Sequence, residues 1–375
     1  MNVALVYDRV NKFGGAERIL LALHELWPQA PLFTAVYNPK TALWAKCFKV
    51  THSFLQNFPF AKTHHELYPW LTPLAFESFN FDQFDVVISI TSADAKGIIT
   101  QPQTLHVCYC LTPIRYLWSG FNDYVKNPQF GVLNPLVKVL SPLLFKKLKN
   151  WDIVVSKRPD YYLAISKNVQ RRIKHYYNHS SEVIYPPVDC KKFSKMALVI
   201  KRKIKVPFYL LVSRLIPYKR VDLVIKAFNK LKMPLKIIGS GALKNQLKKI
   251  SKKNIEFLGQ LTDKELIYYY QTCSAVIFPQ EEDLGLVPLE AQAAGKPVIA
   301  YRGGGALETV IPGKTGEFFY SQTAEALINT IKNFKLENFK SENCQRNAAK
   351  FDQTIFLKKF KNKIHNLWTK HSKTI

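Results

Sequence analysis

The fold is decided by the stretch AVIFPQEEDLGLVPLEA, which occupies residues 275–291. Its apolar start, 275–278, predicts a buried strand, and an acidic loop with one glycine follows. The loop then enters a helix with Pro288 in its first turn, where the missing N–H of proline costs nothing. Ligands of open parallel sheets bind beyond the carboxyl ends of the strands. The stretch therefore predicts a parallel α/β fold and the position of a binding site within it.

Two carboxylates, those of Glu282 and Glu290, are expected to face this site. An ionised carboxylate accepts hydrogen bonds from two hydroxyls at once, which suits sugars and riboses. The backbone N–H groups of Leu286 and Val287, at the start of the helix, would favour an anion. A second interpretation stays open at this point: an acidic surface loop before an ordinary helix, whose dipole favours glutamate in the first turn.

Short apolar runs alternate with helical stretches along the whole chain, and this pattern predicts parallel sheets with helices on both faces. The predicted strands are 2–7, 84–90, 105–110, 161–165 and 182–185 in the first half, and 207–212, 235–238, 255–258, 275–278 and 298–301 in the second.

Two domains follow from a length of 375 residues and from a break in the pattern. Pro186 and Pro187 stiffen the connection, and a basic stretch, 191–205, comes next. We place the first domain at 1–192 and the second at 193–350. An amphipathic terminal helix is predicted over 351–370, with the stripe Phe356, Phe360, Ile364 and Trp368.

The composition of the chain limits where in the cell the protein is expected and what kinds of molecule it is expected to bind. The formal net charge of +27 implies an anionic partner. The alternative is that all proteins of the source organism are rich in lysine. The six cysteines have no metal-ligand spacing, which is typical of reduced thiols in a cytosolic protein. No apolar run approaches the length of a membrane span. We expect a cytoplasmic protein, or one held peripherally at the inner face of the plasma membrane.

A basic loop follows the first strand of the second domain. Arg214 offers a planar fork for phosphate oxygens, and Lys219 offers a compact charge. Fixed cations of this kind stabilise a departing diphosphate where water is excluded. Gly14 and Gly15, between the first strand and its helix, would let the backbone approach a ligand closely. For Arg214 and Lys219 the alternative interpretation is a basic surface loop. For Gly14 and Gly15 it is an ordinary turn between a strand and a helix.

These motifs together resemble the retaining, nucleotide-sugar-dependent glycosyltransferases of family 4. The resemblance implies the GT-B fold: two Rossmann-like domains that face a cleft, with a C-terminal helix, 351–375, that crosses back to the first domain. It implies that Glu282 holds the sugar hydroxyls and Glu290 the ribose, while Arg214 and Lys219 stabilise the leaving diphosphate in place of a metal. No cofactor is implied, since the nucleotide sugar is a substrate.

The segment 108–118 resembles the mannosyltransferase-like members of that family. The family has histidine where this chain has Leu111, so the resemblance fails at one position on the acceptor and sugar side. Arg115 and Tyr116 match the pattern and would hold the acceptor or its phosphate. Packing of Tyr116 at the domain edge is the equal alternative.

The favoured donor is GDP-mannose and the second is a UDP-hexose, with a glycan or polyprenyl-diphosphate-linked acceptor in cell-surface polysaccharide or lipopolysaccharide assembly. A nucleotide-sugar epimerase or hydrolase of the same fold is the other enzyme class. A nucleic-acid-binding protein is disfavoured because the sequence contains none of the usual binding motifs.

One further stretch, 131–151, combines leucines with four lysines and suggests contact with an anionic membrane. The alternative is a packed helix with a solvated face. Pro135 and Pro142 predict that no single long helix runs through it.

Overall fold

The computed structural model describes residues 1–121, 134–194 and 206–374, with the side chains of 134–144 left aside. The chain forms two compact units. Unit 1 comprises 1–186 and 356–375, and unit 2 comprises 187–355. The division follows Pro186, at the pair of prolines. The basic stretch 195–205, in which the sequence placed part of the linker, lies outside the described residues.

Each unit is built on one parallel sheet. The seven strands of unit 1 are β1 (Val3–Tyr7), β2 (Leu32–Thr34), β3 (Val50–His52), β4 (Val86–Thr91), β5 (Leu105–Cys110), β6 (Tyr161–Ala164) and β7 (Glu182–Val183), in the order β3-β2-β1-β4-β5-β6-β7. The six strands of unit 2 are β8 (Tyr209–Val212), β9 (Leu235–Ile238), β10 (Ile255–Gly259), β11 (Ala275–Phe278), β12 (Val298–Tyr301) and β13 (Gly316–Phe319), in the order β10-β9-β8-β11-β12-β13.

Helices connect these strands. Within the described residues they are α1 (Gly15–Leu26), α2 (Thr72–Glu77), α3 (Asn134–Val155), α4 (Lys167–Tyr177), α5 (Cys190–Ser194), α6 (Val221–Leu231), α7 (Lys244–Lys249), α8 (Asp263–Thr272), α9 (Leu286–Ala293), α10 (Ala306–Thr309), α11 (Ala324–Asn333), α12 (Ser341–Ala348) and α13 (Gln353–His371). No helix of the described ranges is both long enough and apolar enough to span a bilayer.

The strands of unit 1 are buried because helices cover the sheet. Every residue of β1, β4 and β5 is buried, as expected for a parallel sheet with both faces packed. The strand order places β1 beside β4 although β2 and β3 come between them in sequence. Their carboxyl ends therefore form the point at which the strand order reverses, where such sheets bind ligands.

The terminal helix α13 belongs to unit 1 from Phe356 onward, which confirms the predicted crossing back. Phe356, Phe360 and Ile364 are buried as predicted, and the Phe360 ring lies 5.2 Å from that of Tyr109. The stripe differs at its end, where Leu367 is buried and Trp368 is only half-buried.

The core of unit 2 fills the space between its sheet and the helices α6 and α11. Leu211 and Ile277 from neighbouring strands pack with Val224, Phe228 and Leu327 from these helices. This packing fixes β8 beside β11, so that the loops after these two strands leave the same edge of the sheet.

One helix prediction was wrong. The helix α3 runs without interruption from Asn134 to Val155, through both Pro135 and Pro142. Pro135 stands in the first turn, where proline is tolerated. The start of the predicted membrane stretch, 131–133, lies outside the described residues.

Candidate functional site

The acidic loop of unit 2 depends on Gly285 for its exit into α9. The φ angle of Gly285 is 85°, and a Cβ at this position would lie 2.7 Å from Cζ of Phe278. Both the backbone conformation and the space therefore require glycine. Since Gly285 has no side chain to cap the helix, the first N–H groups of α9, those of Leu286 and Val287, are not capped by it.

The glycine run after β12 holds the acidic loop in place. The N–H of Gly305 donates to the carbonyl oxygen of Glu282 at 2.9 Å. A Cβ on Gly304 would lie 2.3 Å from that oxygen, and one on Gly305 would lie 2.2 Å from Cα of Leu284. The two backbones thus pack directly against each other. The run positions the loop that carries Glu282.

A second pair of glycines positions the basic loop after β8. Cβ atoms on Gly239 and Gly241 would lie 1.9 Å from the Ser213 carbonyl oxygen and 2.4 Å from that of Leu215. The Leu215 N–H donates to the Ser240 carbonyl at 2.9 Å. The turn after β9 is therefore the support on which the Arg214 loop rests.

Lys219 and Glu282 meet at the edge shared by the two loops. The Lys219 ammonium donates to Oε1 of Glu282 in an ion pair. Their side chains are only 8% and 22% exposed, so that water screens the pair weakly. The Lys219 ammonium also lies 4.8 Å from the ring centroid of Tyr218, and Nε2 of the buried Gln280 lies 3.5 Å from Glu282 Oε1.

Arg214 lies at the surface of the same edge. One guanidinium nitrogen donates to the Tyr218 hydroxyl at 2.8 Å, and the side chain is otherwise exposed. Tyr218 therefore stands between the two predicted phosphate cations, since its ring faces Lys219 and its hydroxyl meets Arg214.

Glu290 is buried beneath the first turn of α9. It is 4% exposed, and its Oε2 accepts a hydrogen bond from the hydroxyl of Tyr270, on α8, at 2.8 Å. In this structure one oxygen is thus directed to α8. The contact with a ribose stays a prediction.

In unit 1, Gly14 immediately precedes α1, and Gly15 is the first residue of that helix. The adjacent Glu17 is buried and accepts from the Tyr7 hydroxyl at 2.6 Å. Burial, together with the Glu17 charge, raises the pKa of Tyr7 well above its usual value. A Cβ on Gly14 would lie 3.2 Å from Oε2 of Glu17, so the turn is tight but open on its outer side.

The segment after β5 is packed more than the sequence indicated. Leu111 is half-buried, and its N–H donates to the Thr91 carbonyl at 2.8 Å. The Tyr116 ring lies 5.8 Å from that of Phe145 on α3, and burial raises the pKa of Tyr116 well above its usual value. The Tyr116 ring therefore packs against α3. Arg115 is half-buried beside it.

Sequence reasoning assigned no role to Asp8, which belongs to a buried group of charged side chains at the carboxyl ends of β1 and β4. Asp8 accepts from the Thr91 hydroxyl at 2.7 Å and from the Ala95 N–H at 3.0 Å. Asp94 is 5% exposed, and burial raises its pKa to about 7. Lys96 pairs with Asp152 at 2.5 Å. An aspartate directly after the first strand was the available signal, because that strand ends at the reversal point.

No group of three or more histidine, cysteine, aspartate or glutamate side chains in the described parts of the chain could hold a metal ion.

Residues 198–351 match the family model described as "Glycosyl transferases group 1". The matched range contains the basic loop, the acidic loop and all four glycines that position them. It covers most of unit 2, and the match does not extend to unit 1.

Curated relatives show modest identity. An uncharacterized glycosyltransferase of Methanocaldococcus jannaschii is 28% identical over 201 residues, which are 51% of this chain and 55% of the relative. A GDP-mannose-dependent monoacylated alpha-(1-6)-phosphatidylinositol monomannoside mannosyltransferase of Corynebacterium glutamicum is 37% identical over 116 residues, 27% of this chain and 30% of the relative. The chain spans about half the length, or less, of the curated relatives it matches.

The solved structure of Anabaena HepE in complex with UDP superposes on the chain with a TM-score of 0.71 at 18% identity, covering 98% of this chain and all of that one. At this identity the likeness concerns the fold. It confirms the predicted class of two parallel α/β units.

Proposed function

We propose, on the premise that this chain belongs to the group 1 glycosyltransferases with the GT-B fold, that it transfers a hexose from a nucleotide-diphosphate sugar to a glycan or lipid-linked acceptor. The transfer retains the anomeric configuration. The setting is the assembly of a cell-surface polysaccharide.

The observation that carries the proposal is the meeting of Lys219 and Glu282 at the edge of the unit 2 sheet. The strand order reverses there, since β8 has β9 on one side and β11 on the other. A nucleotide sugar presents a diphosphate and ring hydroxyls next to each other. A buried ammonium beside a carboxylate supplies one partner for each of these groups.

The leaving group is stabilised first. When the bond between the anomeric carbon and the diphosphate breaks, both electrons stay on the phosphate oxygen, and negative charge develops there. Lys219 turns from Glu282 to this oxygen, and Arg214 reaches it from the rim with its planar fork. The N–H groups of Leu286 and Val287, together with the dipole of α9, add to the same stabilisation.

The sugar is held by the carboxylate that Lys219 releases. Glu282 accepts hydrogen bonds from ring hydroxyls, which fixes the anomeric carbon against the acceptor. The acceptor hydroxyl attacks the face from which the diphosphate departs, and its proton passes to the departing phosphate oxygen. Glu290 accepts from the ribose hydroxyls.

The donor is GDP-mannose in the preferred version of the proposal. It is supported by the Corynebacterium relative, whose name specifies GDP-mannose. A UDP-hexose is the second candidate, supported by the structure of Anabaena HepE with UDP. The acceptor is a glycan or a polyprenyl diphosphate. The cations Arg214 and Lys219 take the place that a metal ion would have.

The test is calorimetric titration with GDP-mannose, UDP-glucose and ADP-glucose in the presence of a chelator. We expect one of the first two to bind, and Lys219→Ala to weaken that binding by about 10- to 100-fold, since a hydrogen bond between charged groups contributes about 1.5 to 3 kcal/mol. Lys230→Ala is the matched control, because Lys230 pairs with Glu325 at 2.8 Å on the exposed surface. Binding of none of the three would refute the proposal. Release of sugar at full rate without any acceptor would replace it with a hydrolase or an epimerase.

A further inference from the structure

Many large apolar side chains of unit 1 are exposed within a short part of its sequence. Seven of them are between 38% and 74% exposed: Phe13, Phe54, Phe58, Phe60, Leu67, Trp70 and Leu74. Six of the seven belong to the segment 54–74. Single exposed apolar residues are ordinary, but a contiguous group marks a surface that contacts something else.

Contacts within unit 1 tie the two halves of this segment to each other and to the loop that carries Phe13. The Phe58 ring lies 6.1 Å from that of Phe54 and 5.4 Å from that of Tyr68. The Tyr68 hydroxyl donates to the Pro59 carbonyl at 2.8 Å, which ties the two halves of the segment together. Asn11 donates to the Lys62 carbonyl at 3.3 Å, which places the loop that carries Phe13 against the same segment.

Phe60 occupies a strained backbone conformation at the exposed part of this surface. Its φ angle of 58° lies in the left-handed region, which a bulky residue adopts only at a cost of about 1 kcal/mol or more. The turn is closed by the His64 N–H, which donates to the Phe60 carbonyl at 2.7 Å. With 74% of the residue exposed, packing within the unit does not offset this cost. Strain of this kind concentrates at functional sites.

Basic residues stand beside two of the aromatic ones in sequence. Lys12 and Lys62 flank Phe13 and Phe60 in sequence, and Arg9 lies nearby. The local potential is visible at His65, whose pKa is lowered to about 3 by burial and then by the positive charges of Arg9, Lys12 and His64. Glu66 is the acidic residue of the segment 54–74. The surface thus joins exposed aromatic rings to an excess of positive charge.

We propose that this aromatic-basic surface, formed by Phe13 and the segment 54–74 with Lys12 and Lys62, inserts shallowly into a lipid bilayer with anionic headgroups. Phenylalanine, leucine and tryptophan side chains bury at the boundary between headgroups and acyl chains, and lysines beside them contact lipid phosphates. The positive charge selects an anionic bilayer over an apolar protein partner. This surface differs from the stretch 131–151 in which the sequence suggested membrane contact.

Gly14 directly follows Phe13, so insertion brings the turn before α1 to the lipid surface. A lipid-linked acceptor presents its reactive end at that level. The inference stands on the surface alone, however, and it does not depend on the proposed transfer reaction.

The test is co-sedimentation of the full chain with vesicles of phosphatidylcholine and phosphatidylglycerol, compared with vesicles of phosphatidylcholine alone. We expect binding to the first kind, weakened by salt because surface charges are screened. The double variant Phe60→Asn/Trp70→Ser should lower the vesicle affinity by at least about tenfold, since each aromatic residue contributes at least about 1 kcal/mol on burial. Phe60→Asn alone should raise the melting temperature, because asparagine tolerates the left-handed region.

The matched control is Tyr320→Ser/Leu336→Ser, which removes two side chains of unit 2 that are 74% and 44% exposed. It should leave vesicle binding unchanged. The proposal is overturned by the absence of binding to anionic vesicles, or by equal binding of the Phe60→Asn/Trp70→Ser variant. It is also overturned if the chain self-associates without lipid and this variant abolishes the association, because the partner is then a second copy of the chain.

Discussion

Lys219 and Glu282 are 63 positions apart in sequence, and their side chains form an ion pair at the edge of the unit 2 sheet. In the proposed site each group has a different target, the diphosphate for lysine and the sugar for glutamate. The two ends of the donor are therefore coupled, because the phosphate must take Lys219 before Glu282 is released to the sugar. Lys219 thus pairs with either Glu282 or the diphosphate, and Glu282 pairs with either Lys219 or the sugar hydroxyls.

This coupling predicts opposite effects of Glu282→Gln on two ligands. The glutamine cannot hold Lys219 as an ion pair, so the free nucleoside diphosphate should bind at least as tightly as it does to the native chain. The nucleotide sugar should bind more weakly, and kcat/KM for transfer should fall by about 100-fold or more. Calorimetry with both ligands on one protein preparation measures the difference. A parallel loss of both affinities would show that Glu282 acts only through the fold.

Arg214 should act on the leaving group from the rim of the site. Arg214→Ala is expected to lower kcat/KM by about 10- to 100-fold with little change in melting temperature, since the side chain is exposed. Tyr218→Phe removes only the hydroxyl that accepts from Arg214 at 2.8 Å and keeps the ring that faces Lys219. Tyr218→Phe should lower kcat/KM by less than tenfold. Equal losses in the two variants would assign the effect to loop structure instead.

Gly305 should be intolerant of any side chain. Gly305→Ala would place Cβ 2.2 Å from Cα of Leu284, so the acidic loop must move, and both stability and transfer should fall. Gly313→Ala is the matched comparison. Gly313 has a φ angle of 71° and open space around its Cβ position, so it should cost only the backbone strain of about 1 kcal/mol. Thermal unfolding and a transfer assay on both variants separate the two effects.

Much of unit 2 was predictable because its signals are local. The run 275–291 contains its strand, its turn glycine and its helix-start proline in order, and the structure has β11 and α9 at those places. The strands β2, β3 and β13 were missed. β2 and β3 have only three residues each, and β13 begins with Gly316 and Glu317, so that none of the three shows an apolar run that distinguishes a strand from a loop.

The relationships within the site depend on strand order, which the sequence does not show. Lys219 meets Glu282 because β8 lies beside β11, although β9 and β10 come between them in the chain. The second carboxylate illustrates the same limit. Its place beyond the carboxyl end of a strand predicted that Glu290 faces the ligand, and this stays a prediction. The structure adds that its Oε2 accepts from Tyr270, a residue on the preceding helix α8 whose packing no motif reveals.

Asp94 should make the stability of unit 1 depend on pH. Burial, reinforced by Asp8 and Asp152 and opposed by Lys96, raises its pKa from 3.8 to about 7. The folded state therefore binds the proton more tightly than the unfolded state, and the free energy of unfolding decreases as the pH rises from about 4 to about 7. Above that range Asp94 is ionised in both states, and the folded state bears the full free-energy cost of burying the carboxylate.

Asp94→Asn resembles the protonated carboxyl group and should remove this cost. At pH 8 we expect the variant to be more stable than the native chain by about 4 kcal/mol, the free-energy equivalent of raising the pKa from 3.8 to about 7. Near pH 4 the difference should be small, because the native carboxyl is then protonated in the folded state and roughly half protonated in the unfolded state. Urea unfolding of both proteins at pH 4 and pH 8 measures this difference in the free energy of unfolding. A stability difference that does not change with pH would mean that Asp94 is ionised throughout and held by Lys96.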